Sequence, residues 1–243
     1  APLEAVDELD VSYVSNISQF GDPDVVIIPG SKNTISDLLW MRQNGLEGKI
    51  LRHAAKGGIV FGICGGYQML GQSISDPTGA EQKGTVRGMG LLPVTTVFEQ
   101  EKRRTRVSGR FAKVGGALAE MSGVCYEGYE IHMGRTVLSK GTVPLVYMEE
   151  EGEQRQDGAQ SDHVYGCYMH GIFDMSETVK TFLAAVLRKK GIDPSKITVR
   201  DRNAYKEEQY DRLASIVREN LNMEAVYKII EKGNEASCSL LSE

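Results

Sequence analysis

The sequence predicts an α/β fold: a mostly parallel sheet with helices on both faces, and additional antiparallel strands in the middle of the chain. Three observations predict it. Short β-branched runs end at glycine or proline and pass at once into helix-like stretches, the strand–helix–strand–helix order that parallel strands need. Between residues 90 and 148 the helical period gives way to successive strand-like runs. Helical patterns return in the last third of the chain.

Val25-Val26-Ile27-Ile28, ending at Pro29-Gly30, reads as a buried strand. Thr34 is placed to cap a helix running through Asp37 to Met41, stopped by Gly45. Leu46 to Lys56 reads as a second helix closed by Gly57-Gly58. Ile59 to Ile63 is another buried strand, and a helix through Tyr67 to Leu70 should follow directly. Residues 74–88, with three glycines and Pro77, read as a loop. Leu92 to Phe98, Thr105 to Phe111, Tyr126 to His132 and Val143 to Met148 read as strands. Glu149 to Asp162 reads as a mobile hairpin or loop, and His163 to His170 as a further strand. Two helices are expected to finish the chain, Ser176 to Lys190 and Tyr205 to Lys232. The second would show an apolar face at Leu213, Ile216, Val217, Leu221 and Val226. Residues 1–20 are expected to be a linker or edge segment, 21–232 the domain, and 233–243 a flexible tail.

Composition narrows the function. The 243 residues carry 28 Lys plus Arg against 33 Asp plus Glu, a net charge of −5, with 41% hydrophobic and 25% charged residues. These values exclude disordered, collagen-like and coiled-coil chains. An acidic balance without a long basic run argues against nucleic acid as a partner. No apolar run reaches the ~18 residues of a membrane span. The acidic N-terminus lacks a signal peptide's basic and apolar regions. Cys64, Cys125, Cys167 and Cys238 are far apart, with no metal-type pairing, and read as reduced thiols. A cytoplasmic protein with no bound metal is the expectation.

Gly62-Ile63-Cys64-Gly65-Gly66 has the form of a nucleophile elbow with cysteine in place of serine, between a buried strand and a helix. The turn would strain Cys64, the helix N-terminus would favour its thiolate, and the Gly65 N–H would help to hold an oxyanion. A small buried cysteine in a glycine-rich turn fits the pentapeptide equally well. Of the four histidines, His53 and His163 read as solvated. His170 ends a strand at the edge where α/β proteins place reactive groups, and His132 is the rival base.

Longer motifs carry a resemblance. Gly62-Ile63-Cys64-Gly65-Gly66-Tyr67-Gln68 resembles the nucleophile motif of class I, triad-type glutamine amidotransferases, and Pro29-Gly30-Ser31-Lys32-Asn33-Thr34 resembles their oxyanion loop. Tyr168-Met169-His170-Gly171-Ile172-Phe173 resembles the histidine motif of the cobyric acid synthase and cobyrinate a,c-diamide synthase group, and Gly128-Tyr129-Glu130-Ile131-His132-Met133-Gly134 and Tyr210-Asp211-Arg212-Leu213-Ala214 resemble cobyric acid synthases most. The resemblance runs from about residue 20 to 232. It implies a flavodoxin-like fold, Cys64 as nucleophile, His170 as base, and Gln68, Gly30, Ser31 and Gly65 around the substrate glutamine and its oxyanion. Arg106 is the chosen holder of the substrate carboxylate; a solvated strand arginine is an equally good reading of it.

Two departures accompany the resemblance. The acid expected two residues after the histidine is Ile172, so another group must orient the imidazole. Asp174, Glu130 or a backbone carbonyl are the candidates. No G-x-x-x-x-G-K-[ST] phosphate loop occurs. The resemblance thus implies the C-terminal half of a two-domain enzyme. ATP and Mg²⁺ would belong to an N-terminal synthetase domain, and a corrinoid would accept the ammonia. A glutaminase serving cobyrinate a,c-diamide synthase or lipid II amidation, another cysteine hydrolase of related fold, and a non-catalytic docking domain are the alternatives.

Overall fold

The computed structural model describes residues 2–6, 8–150, 153–197, 199 and 202–239. It divides into two compact units, Ala1–Val199 and Arg200–Glu243.

In the first unit, β1 (Val25–Ile28) leads into α1 (Thr34–Gln43) and α2 (Leu46–Ala55), then β2 (Ile59–Ile63) into α3 (Gly65–Leu70). β3 (Ser73–Asp76) and β4 (Gly84–Arg87) form an antiparallel pair where the sequence predicts only loop. The turn between them is ordered by Asp76, whose buried carboxylate accepts the N–H groups of Gly79, Ala80, Glu81 and Gln82. β5 (Val94–Phe111) pairs antiparallel with β6 (Cys125–Leu138). Two predicted strands have fused into β5, across a register shift between Phe98 and Arg103. β7 (Val146–Glu150), β8 (Glu153–Asp157), β9 (Ala159–Ser161), β10 (Val164–Cys167) and α4 (Ser176–Lys189) complete the unit. The expected hairpin is therefore β7–β8; its tip, residues 151 and 152, lies outside the described residues.

One sheet has the order β1-β2-β10-β9, the first three strands parallel and β9 antiparallel at the edge. Strand alternation sorts its side chains into two cores. Ile59 and Phe61 of β2 join Tyr165 and Cys167 of β10 in one, beneath Phe182 and Val186 of α4. Val60 and Val164 face the other way, against Ile35, Leu38, Ile50 and Leu70 of the three preceding helices. Each fully buried large apolar side chain contributes about 1.5–3 kcal/mol. A parallel sheet needs this cover on both faces, as predicted. The second sheet, order β4-β3-β5-β7-β8 with β6 also on β5, is mainly antiparallel. The chain before residue 21 is more than a linker: Val6 and Phe20 are buried in the two cores.

The second unit holds α5 (Arg202–Asn220) and α6 (Met223–Ser239). One helix was predicted. It breaks because Asn222 caps a new one, its side chain accepting the Ala225 N–H at 3.1 Å. α6 continues to Ser239, past the expected end at residue 232; Cys238 lies in it, and residues 240–243 lie outside the described residues.

Candidate active site

In β1, β2 and β10, Ile28 lies beside Gly62 and Cys167 beside Ile63. This register brings three consecutive carboxyl ends to one edge. Gly30 follows the first, Cys64 the second and His170 the third.

Cys64 stands at φ 53°, ψ −109°, one of two non-glycine residues with positive φ among the described residues. Such strain persists only where the surroundings impose it. Here Cys64 N–H donates to Cys167 O at 2.9 Å and Gln68 N–H to Cys64 O at 3.0 Å, pinning both sides of the turn. Gly66 is required because any Cβ would overlap the Ile28 carbonyl. The elbow reading of Gly62–Gly66 therefore describes the backbone correctly.

The thiol differs from expectation. Burial raises its pKa to about 11; the Gly65 N–H pulls it down, while Asp157, Glu130 and Glu81 push it further up. The six-residue α3 gives the thiolate too little help against burial. The sulfur instead donates to Ile131 O at 3.6 Å. His170 is also shifted toward its neutral form, first by burial and then by His132. The resting pair is thus a neutral thiol beside a neutral imidazole.

Cys64 and His170 converge in front of Gly30. A methyl group there would lie 2.7 Å from His170 Cε1 and 3.5 Å from Cys64 Cβ. His170 Nε2 is buried and has no hydrogen-bond partner among the described residues, and Tyr129 stacks on the ring. His132 is committed elsewhere. Its Nδ1 meets Gly134 O at 2.8 Å, its Nε2 lies 3.6 Å from Glu130 Oε1, and its ring stacks on Tyr168 at 3.7 Å. Glu130 is fully buried and pairs with Arg155 at 2.5 Å, Arg103 at 3.0 Å and His132, so it serves the rival histidine. Asp174 folds back on Gly171, its N–H donating to the Gly171 carbonyl at 2.7 Å.

The loop after β1 runs beside the elbow. The Ser31 backbone nitrogen lies 2.8 Å from where a Cβ on Gly65 would sit, so the two backbones approach closely there. The Ser31 hydroxyl is spent inside the loop, donating to Asp37 at 2.5 Å and accepting the Asn33 N–H at 2.9 Å. Thr34 is the first helical residue rather than the cap; the Glu81 carboxylate accepts the Ile35 N–H at 3.1 Å in that role. Gln68 is buried, reaches toward Gly134, and donates to the Tyr168 hydroxyl at 3.1 Å. That hydroxyl contacts Thr136 at 2.6 Å, and Thr136 contacts Thr96 at 2.8 Å.

Arg106 is exposed on β5, cross-strand from Tyr129, whose ring stacks on His170, while its neighbour Val107 is buried. A neighbouring cavity of about 360 Å³ is lined by Arg103, Arg135 and Arg155 together with His132, Tyr67 and Tyr168. Its cations are matched by acids: Arg103 and Arg155 by Glu130, and Arg135 by Glu99 at 3.2 Å. Tyr168, Thr136 and Arg155 carried no separate signal in the sequence; Glu130 and His132 stand two apart on β6 and pair there. His53, expected in solvent, meets Ile59 O at 3.1 Å. Cys64 and Cys167 are buried free thiols and Cys125 is an exposed one.

Known proteins resemble this chain over most of its length. The chain is 51% identical over 237 residues to a cobyric acid synthase of Ruminiclostridium cellulolyticum, covering 96% of this chain and 46% of that protein. It is 42% identical to one from Lachnoclostridium phytofermentans, covering 95% and 47%. The chain thus spans about half the length of the curated relatives it matches. Two solved structures share the fold: a glutamine amidotransferase (TM-score 0.52, 16% identity, 76% of this chain and 88% of that one) and PurLQS from Thermotoga maritima (TM-score 0.53, 18%, 74% and 85%). A family profile described as CobB/CobQ-like glutamine amidotransferase domain matches residues 1–178. With most of its length matched in this way, the chain belongs to the CobB/CobQ-like glutamine amidotransferase domain family.

Proposed function

We propose that this chain is the glutaminase domain of a cobyric acid synthase. It hydrolyses glutamine at Cys64 and His170 and supplies ammonia for amidating the peripheral carboxylates of adenosylcobyrinate a,c-diamide on the way to cobalamin. The observation that carries the reading is the strained Cys64 elbow facing His170 across Gly30. The 51%-identical relative supports the choice of acceptor.

The neutral pair sets the order of events. Cys64 S–H passes its proton to His170 as the sulfur bonds to the glutamine amide carbon. The Ser31 and Gly65 N–H groups receive the oxyanion; removing one such donor costs about 10²–10³ in rate. His170 then protonates the departing ammonia, leaving a thioester on Cys64. Water attacks that thioester, giving its proton to His170, and glutamate leaves as the proton returns to sulfur. Gln68 orients the substrate glutamine.

This chain has no glycine–lysine phosphate loop. Carboxylate activation with ATP and Mg²⁺ is assigned to an N-terminal synthetase domain, in the part of the relatives that this chain does not span. Free thiols suit a reducing compartment, so we place the enzyme in the cytoplasm.

The test is glutamate release by the chain and its Cys64→Ala variant, with synthetase partner domain present if the chain alone is slow. Parent activity and a silent variant are expected. A variant that hydrolyses glutamine at the parent rate sinks the assignment.

A further inference from the structure

Ile172 stands where a triad acid would stand, and it is fully buried in the core. Glu130 is committed to His132 and two arginines. β6 contacts His170 directly. Tyr129 N–H donates to His170 O at 3.0 Å, and His170 N–H donates to Tyr129 O at 2.9 Å. This two-bond bridge ties β6 to the chain beyond β10. The two rings stack with centroids 5.1 Å apart and planes within 8°. Gly128, next to Tyr129, lets the strands approach this closely, because a Cβ there would overlap the His170 carbonyl.

We propose that Tyr129 is the positioning residue of His170, its stacked ring doing what a carboxylate does in a triad. The inference rests on the reading of His170 as the base. The stack contributes in two ways. It limits rotation of the imidazole about its last side-chain bond, so one nitrogen stays aimed at the reacting proton. It also sets an electron-rich face against the ring when His170 carries that proton, since a cation within about 6 Å of an aromatic centroid is attracted by the ring quadrupole. A carboxylate would meet the same charge through a hydrogen bond. Titratable or charged groups on the elements packed against His170 include Cys64 on the elbow, Glu130 and His132 on β6, Asp174 on the following turn, and Arg106 opposite Tyr129 on β5.

The experiment compares Tyr129→Phe and Tyr129→Leu. Phenylalanine keeps the stacked face. Leucine covers a similar area without it, so His170 stays shielded from water. Tyr129 is 46% exposed, so both variants should fold, which circular dichroism checks. Two readouts are taken: glutaminase kinetics, and the titration of His170 followed by NMR and assigned through His170→Gln. The leucine variant should lose about tenfold or more in kcat with KM near the parent value, because a misaimed general base forfeits part of the 10²–10⁴ such groups supply. Its His170 midpoint should fall below the parent's. The phenylalanine variant should match the parent in both. Parent kcat and midpoint in the leucine variant would overturn the proposal, as would a phenylalanine variant impaired as far as leucine. The titration needs no glutamine, so it decides the matter even if the glutaminase reading itself fails.

Discussion

The His170 ring lies so close to the Gly30 backbone that a single methyl group on Gly30 would sit 2.7 Å from Cε1. Real side chains do not tolerate that separation, so Gly30→Ala must displace the imidazole. Gly30 is exposed and its φ is not in the left-handed region, so the backbone itself accepts alanine. Stability should change by less than about 1 kcal/mol. Activity should fall about 10²-fold, the usual scale for a misplacement near 1 Å. Urea unfolding and glutaminase assays on the same preparation separate the two. A fully active variant would show that the ring can move without harm.

The protonation state of the pair predicts two pH dependences. With its pKa raised by burial to about 11, Cys64 holds little thiolate near neutrality. Its alkylation by iodoacetamide, followed by peptide mass spectrometry, should rise about tenfold per pH unit through the alkaline range. The exposed Cys125 gives an internal comparison. Turnover behaves differently, because it needs His170 unprotonated. The His170 pKa is lowered by burial and by His132, so the acid limb of kcat/KM should have its midpoint below 6.5, with loss on the acid side. Rapid alkylation of Cys64 at pH 7 would instead indicate a preformed thiolate–imidazolium pair.

Glu130 makes a stability prediction. Burial pushes its pKa up, but His132 and Arg155 outweigh that, and the net value falls to about 2 from an ordinary 4.5. A carboxylate depressed in the folded state stabilises above its unfolded pKa, and that stability is lost as pH falls through the folded value. Glu130→Gln leaves Arg103, Arg155 and His132 facing a neutral group, and should cost about 3 kcal/mol at pH 7. The gap between parent and variant in urea unfolding should narrow as pH drops from 4.5 toward 2. A gap that stays constant over that range would mean that charge is not what Glu130 supplies.

The strand ends that hold the site were legible because they obey local rules. Val25–Ile28 and Ile59–Ile63 are short apolar runs closed by Pro29 and by the Gly62–Gly66 turn, and such runs have few other places to go. The length of β5 was not legible. Glu99 to Arg104, left between two predicted strands, continues the strand across the register shift, with Glu99 and Arg103 drawn into pairs with Arg135 and Glu130. Tertiary ion pairs overrode the local pattern there. The neutral thiol was missed for a related reason. A helix after the cysteine suggested thiolate, but the burial that decides its pKa comes from elements far away in sequence. Ile131 and Glu130 on β6, and Asp157 at the end of β8, all act on Cys64 from outside its motif. Glu81, which caps α1, is likewise 46 residues from Ile35.

Gln68 supplies the last prediction, through its partner Tyr168. The Gln68 side chain is buried and donates to the Tyr168 hydroxyl, which in turn meets Thr136. The same amide nitrogen lies beside Gly134, so the amide is held at that end. Tyr168→Phe removes the hydroxyl and keeps the ring that stacks on His132 and packs edge-on to Tyr67. Gln68 and Thr136 then each lose a buried partner, at a cost of about 1–3 kcal/mol in stability. If Gln68 orients the substrate, freeing it should raise KM for glutamine about tenfold and leave kcat within about threefold, since Cys64 and His170 are untouched. Thr136→Val relaxes the same network one step further out and should give the same pattern, weaker. A Tyr168→Phe variant with unchanged KM and a depressed kcat would show that the Tyr168 hydroxyl serves the chemical step and that Gln68 does not hold the substrate.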